Sequence, residues 1–198
     1  FTENRSFSHT YTTRYASANK GLSRHYDMQY TGANYALYSS FSHSDFDDLR
    51  MGANRTHGYA DWGKVYHYIE DGAQVENEDP NIQKNTGYSQ ADFMQKIILK
   101  LDPNWTLTGN FQYSNSSDIP RFDKLNDQDL EHDTLSSETI FGDLKYATWN
   151  YGPQKRYFSS IQLDHSLNTR LMDSAQFIFG YQDVYESRHV QKLDTEER

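Results

Sequence analysis

The sequence contains no cysteine, which excludes disulfides, thiolate metal sites and cysteine nucleophiles. It contains no run approaching 18 consecutive apolar residues, so no helix reads as membrane-spanning. Aliphatic residues are scarce: Leu, Ile, Val and Phe fill only 37 of 198 positions. Bases are outnumbered, 19 Lys and Arg against 28 Asp and Glu, so the basic footprint of a nucleic-acid-binding surface is missing. No secretory leader is visible at Phe1, and both ends read as cuts in a longer chain. Low aliphatic content with a net charge of −9 points toward disorder. What is abundant argues against it. Tyr (16), Phe (11) and Trp (3) make up 15% of the chain, and disordered chains are poor in aromatics.

Those aromatics recur with period two, the signature of strands. From Trp105 to Ser114, Trp105, Leu107, Gly109, Phe111 and Tyr113 alternate with Thr106, Thr108, Asn110, Gln112 and Ser114. Six further segments read alike: 5–17, 22–31, 35–44, 88–101, 155–167 and 170–185. Tyr38, Met94, Ile98 and Phe158 are apolar intrusions on otherwise polar sides, whereas Arg24 and Gln95 are polar intrusions on apolar ones. Only Gln128–Glu138 suggests a helix, and weakly.

The connections alternate in length. Gly32-Ala33-Asn34, Asp102-Pro103-Asn104 and Asn168-Thr169 read as tight turns at one end of the strands. At the other end a short link around Asn19-Lys20-Gly21 is followed by two long loops, 45–86 and 118–154. Each long loop carries a net charge of −5, so nearly all the negative charge lies there. The expected fold is therefore an all-β, antiparallel up-and-down meander. It corresponds to part of a transmembrane β-barrel, about seven strands of a larger one, with two long extracellular loops. A strand of about 12 residues, tilted by about 45°, spans roughly the hydrocarbon thickness. A half-buried sheet of a soluble domain is the alternative source of the same alternation.

Four stretches carry a family resemblance: Asp45-Phe-Asp-Asp-Leu-Arg-Met-Gly52, Thr86-Gly-Tyr-Ser-Gln-Ala-Asp92, Ile119-Pro-Arg-Phe-Asp-Lys-Leu125 and Trp149-Asn-Tyr-Gly-Pro-Gln154. Tyr181-Gln182 followed by Glu186-Ser-Arg188 adds to them. In their order and spacing the chain resembles the N-terminal part of the barrel of a TonB-dependent outer-membrane receptor of Bacteroidetes type. The resemblance implies that residues 1–198 are one fragment of such a barrel, with the plug domain and remaining strands absent. It implies location in the bacterial outer membrane and TonB-dependent uptake of an iron chelate, haem or a similar scarce nutrient. The implied partners are outer-membrane lipid, the plug domain, the TonB complex and the small-molecule ligand. No cofactor and no nucleic acid are implied. The alternative from another class is a secreted soluble β-domain that binds glycans through exposed aromatics. A passive porin is a third reading.

No catalytic constellation is visible: the Gly-x-Ser-x-Gly, His-Glu-x-x-His and phosphate-loop patterns are all absent, so the chain reads as a non-enzyme. The candidate ligand-binding residues are His57, Tyr59, Trp62, Tyr66, His67 and Tyr68 in the first long loop and Arg121 in the second. Two imidazoles among aromatic rings suit a haem or an aromatic iron chelate. The same rings also suit plain packing of a long loop. Arg121 is expected to pair with Asp118 or Asp123. Asp45, Asp47 and Asp48 offer hard oxygens for Ca²⁺ but lack regular ligand spacing, so a solvated loop fits them better. His25, Asp27, Gln29, Asp92, Lys96, Lys100, Asn110, Gln112, Arg156 and Asp164 are expected to share one polar face.

Overall fold

A computed structural model of the chain describes residues 4–52, 54, 56, 58–128, 142–167 and 169–193. The segments follow in the order β1 (Ser6–Ala16), β2 (Gly21–Thr31), β3 (Tyr35–Phe46), β4 (Leu49–Arg50), β5 (His67–Glu70), β6 (Ala73–Glu76) and β7 (Ile82–Gln83). After them come β8 (Tyr88–Lys100), β9 (Trp105–Ser116), β10 (Ile119–Pro120), α1 (Phe122–Leu125), β11 (Tyr146–Tyr151), β12 (Lys155–Ser166), β13 (Ser174–Tyr185) and β14 (Arg188–Lys192). The long strands form one seven-stranded sheet in the order β1-β2-β3-β8-β9-β12-β13. Every pairing in it is antiparallel, so the chain is all-β and the sheet is a meander. Each of the seven periodic segments supplies one strand. The sheet does not close, and β1 and β13 are its edges. The weak helix at 128–138 lies outside the described residues except for Gln128, which bridges to Leu144.

The register explains the period. Directly paired residues share a face. One line of partners runs Tyr11–Tyr26–Phe41–Phe93–Tyr113–Tyr157 across six strands. A parallel line, four residues nearer the tight turns, runs Phe7–Tyr30–Leu37–Ile97–Gly109–Ile161–Phe179. Such cross-strand pairs contribute roughly 0.2–1 kcal/mol each. The opposite face carries His25–Ser42–Asp92–Ser114–Arg156 and Gln29–Tyr38–Lys96–Asn110–Ser160. All ten residues expected on a polar face share it. Its groups satisfy one another: His25 Nδ1 lies 2.7 Å from Ser42 Oγ, and Gln176 Nε2 donates to Asp164 Oδ1 at 2.7 Å.

Gln95, polar on the aromatic face, is satisfied within it. Ser39 Oγ donates to Gln95 Oε1 at 2.5 Å, and Gln95 Nε2 donates to the Tyr38 carbonyl at 3.1 Å.

The turns are chemically built. Asp102 Oδ1 accepts the N–H groups of Asn104 (2.7 Å) and Trp105 (3.0 Å), an Asx turn that starts β9. The turn expected at Asn168-Thr169 is longer, spanning 167–173, because Thr169 Oγ1 caps its own turn by donating to the Met172 carbonyl at 2.9 Å. Asn168 itself lies outside the described residues.

Among the described residues no element packs over either face of the sheet. Among the described residues the buried apolar side chains are Val65, Leu125, Leu144 and Trp149, all in the two long connections. The connections therefore have small cores of their own. In the first, β5 and β6 form a hairpin over Asp71-Gly72, with φ of 50° and 79°, the two-residue turn of positive φ that Asp-Gly favours. Asn77, 4% exposed, donates through Nδ2 to the carbonyls of Val65 (2.8 Å) and Ile82 (2.9 Å). It joins the hairpin to β7. In the second, β10 and β11 form a three-stranded sheet with β14, which follows β13, beside α1. The two connections touch where Leu144 N donates to Gln74 Oε1 at 2.8 Å.

Replacing Asn77 by Ala removes the side-chain donor to the buried Val65 carbonyl and leaves the Ile82 carbonyl with Lys84 N–H as its other donor, which costs about 1–3 kcal/mol. Amide exchange at residues 65–83 is expected to speed up by roughly 10- to 100-fold while exchange in β8 and β9 stays unchanged. Hydrogen-exchange mass spectrometry on the full chain measures both; unchanged exchange at residues 65–83 would remove Asn77 from this role.

Candidate functional site

The candidate site comprises the two long connections, at the same end of the sheet. Tyr59 and Trp62 stand on the turn 58–63 before the hairpin, 72% and 69% exposed. Trp62 N donates to the Tyr59 carbonyl at 3.4 Å, so both rings come from one tight turn. Asp61 between them is the hub. Its Oδ1 accepts from Tyr66 Oη (2.7 Å) and from Lys64 Nζ (2.9 Å). Both donors are held above their ordinary pKa, chiefly by that hydrogen bond.

His67 lies in β5, half-buried, and its Nδ1 is shielded with no hydrogen-bond partner. Tyr68 lies beneath Lys84, whose Nζ is 5.1 Å from the ring centre. His57 lies outside the described residues, so the expected imidazole pair is represented by His67 alone.

Arg121 belongs to the second connection. It pairs with Asp123, Nε to Oδ1 at 2.9 Å, and not with Asp118. This contact raises the Arg121 pKa and lowers that of Asp123. The guanidinium stacks on Trp149 at 4.5 Å, and Arg188 approaches the same ring at 5.7 Å. Tyr151 meets Trp149 edge-on at 5.2 Å. Trp149 is 6% exposed, so Arg121 covers a structural indole and its charged head also serves the loop core. A cleft of about 330 Å³ opens nearby, lined by Ile119, Tyr151, Gly152, Gln154, Glu186 and Ser187. The sequence-predicted residues thus divide between the first loop, where Tyr66 is tied to Asp61 and Tyr68 lies under Lys84, and the cation–indole stack of Arg121 in the second.

The remaining loop acids hold the fold. Asp48 Oδ1 accepts the N–H groups of Thr86 (2.9 Å) and Gly87 (3.3 Å), which fixes the return into β8. Asp47 pairs with Lys20 at 3.3 Å. Asp79 accepts from Asn81 N (3.0 Å), Asn81 Nδ2 (3.1 Å) and Arg50 (2.8 Å). The Asn81 N–H groups lead the stabilisation of its carboxylate, with Arg50 next, and hold its pKa below the ordinary range. Among the described residues no three His, Asp or Glu side chains are grouped to hold a metal ion.

Asp61, Asn77, Asp79, Trp149 and Arg188 are the residues that the sequence reading missed. The pair Asp71-Gly72 would have exposed the hairpin that carries His67 and Tyr68. Chemically the arrangement offers flat rings, hydrogen-bond donors and balanced ion pairs. These are means of binding a ligand. Comparison of the chain with family models, curated proteins and solved structures returned no match.

A carboxyl with a depressed folded pKa stabilises above its unfolded value, and that stability is lost as pH falls through the folded value. Amide protection of the loop 64–84 is therefore expected to hold near neutrality and to fall on acidification below the usual carboxylate range. Asp79→Asn is expected to show weaker protection at neutral pH and a smaller acid-dependent drop. Exchange rates measured across the acid range check this. Identical profiles for the two proteins would assign the acid sensitivity elsewhere.

Proposed function

We propose that the chain is a segment of a transmembrane β-barrel of the TonB-dependent receptor type, and that the barrel takes up a scarce nutrient through the bacterial outer membrane. One observation carries the reading. The sheet lines up aromatic and aliphatic residues in cross-strand rows on one face, polar residues on the other, and covers neither. Lipid on the first face and a hydrated lumen or plug domain on the second meet both needs. Dimensions agree. β8 has 13 residues, which at about 3.3 Å each and a tilt of about 45° cross roughly 30 Å. Both long connections lie at one end, where extracellular loops belong. The open edges β1 and β13 call for further strands to close the barrel.

In this reading the loops capture ligand, the plug gates the lumen, and the TonB complex supplies energy. The proposed cargo is an iron chelate or haem, for which Tyr59 and Trp62 supply stacking surfaces. No reaction is proposed. The second reading, a soluble glycan-binding domain, draws on the exposure of the same two rings.

Ile97 lies on the apolar row and Asn110 on the polar face of the neighbouring strand. Ile97→Arg is expected to cost up to about 2–4 kcal/mol of folded barrel in lipid, and Asn110→Arg far less. Folding yield of the full-length protein in liposomes measures the difference. Equal tolerance of both, or a monodisperse wild type without detergent, would favour the soluble domain. For the cargo, a deletion strain is expected to grow poorly on haem or on one iron chelate as sole iron source. Normal growth on all of them rejects iron and haem.

A further inference from the structure

Among the polar residues of the aromatic face, Gln95 and Arg24 break the apolar sides of β8 and β2. Gln95 is satisfied within the sheet; Arg24 is not. Among the described residues Arg24 makes no ion pair with a carboxylate. It is exposed, three residues into β2 from the loop end. Its partners across the sheet are Thr13 on β1 and His43 on β3. Thr13, Arg24 and His43 therefore form a row one step nearer the loop end than Tyr11, Tyr26 and Phe41. The full row continues through Ala91, Asn115, Lys155 and Tyr185 and includes no acidic residue. The acid nearest in register is Asp45, two residues beyond His43 on β3 and outside ion-pair distance of Arg24.

We propose that Arg24 and His43 bind the phosphate of an anionic lipid headgroup, with Tyr11, Tyr26 and Phe41 beneath it against the acyl chains. The proposal rests on the membrane reading given above. Adjacent strands lie about 4.8 Å apart, so a guanidinium and an imidazole rise side by side at a spacing that one phosphate can bridge. The planar guanidinium offers paired donors that match two phosphate oxygens, which an ammonium cannot do. On the other side the Thr13 hydroxyl donates to Tyr11 Oη at 3.0 Å, so the phosphate contact rests on Arg24 and His43. The order along the strands, aromatic row and then cationic row, reproduces the order of a leaflet, acyl chain and then phosphate. An unpaired Arg merely reaching for water would need no imidazole neighbour and would show no preference among headgroups.

The test uses the full-length protein in bilayer nanodiscs of equal parts phosphatidylglycerol and phosphatidylcholine. The protein is released into mild detergent, and the retained lipid is counted by native mass spectrometry. Wild type is expected to retain phosphatidylglycerol preferentially. Arg24→Gln is expected to lower that preference by about tenfold, and His43→Gln by less. If Arg24→Gln does not assemble, Arg24→Lys and His43→Gln carry the test, because both keep a polar side chain at an exposed or half-exposed position. Retention equal to wild type in the assembled variants overturns the lipid site and leaves the barrel reading intact. Displacement of the lipid by inorganic phosphate at matched ionic strength also overturns it, in favour of a free-anion site. Recovery of the wild-type chain from the aqueous fraction of cells, without membrane, overturns the barrel reading itself.

Discussion

Burial of apolar surface drives folding, and here the long strands supply apolar surface with nowhere inside the chain to put it. The rows headed by Tyr11 and Phe7 cross the sheet on one face, and no element packs on them. Phe41 remains 50% exposed in the middle of its strand. The few buried side chains lie in the loops. A soluble sandwich resolves the same imbalance by folding a second sheet over the first. This chain spends its remaining residues on loop structures at one end instead. What meets the apolar face is the question from which the functional proposals start.

The polar face poses the complementary problem. Its side chains have paired among themselves, His25 with Ser42 and Asp164 with Gln176, in short links across or along strands. Such links order the face, and a small cleft of about 160 Å³ opens on it at the loop end among Gln90, Ser114, Ser116 and Arg156. The loops carry ion pairs and aromatic rings beside small cores of their own. The Gln74–Leu144 contact ties the two loops together.

The sheet was legible in the sequence because its determinant is local. Period-two alternation assigns each residue of a long strand to a face without knowledge of its partners. Even the exceptions were informative: Arg24 and Gln95 stood out at once as polar residues on an apolar side. The loops were less legible because their order comes from distant contacts. Nothing near Tyr66 in periodicity reveals that Asp61 holds its hydroxyl, or that Arg121 stacks on a tryptophan 28 positions away. β11, only six residues long, pairs with β10 and β14 and has no repeating pattern long enough to announce itself. One signal was available and unused: the Asp71-Gly72 turn.

The line from Tyr11 to Tyr157 also constrains how such a chain can change in length over generations. Side chains alternate between faces, so adding or losing a single residue inside a strand turns every later side chain of that strand over, exchanging aromatic for polar. Descendants can tolerate paired insertions in the strands, or a bulge that absorbs an odd one. Insertions of any number are free only where no neighbour counts them, in the two long connections. Length variation is thereby channelled into the connections while the strands keep their length.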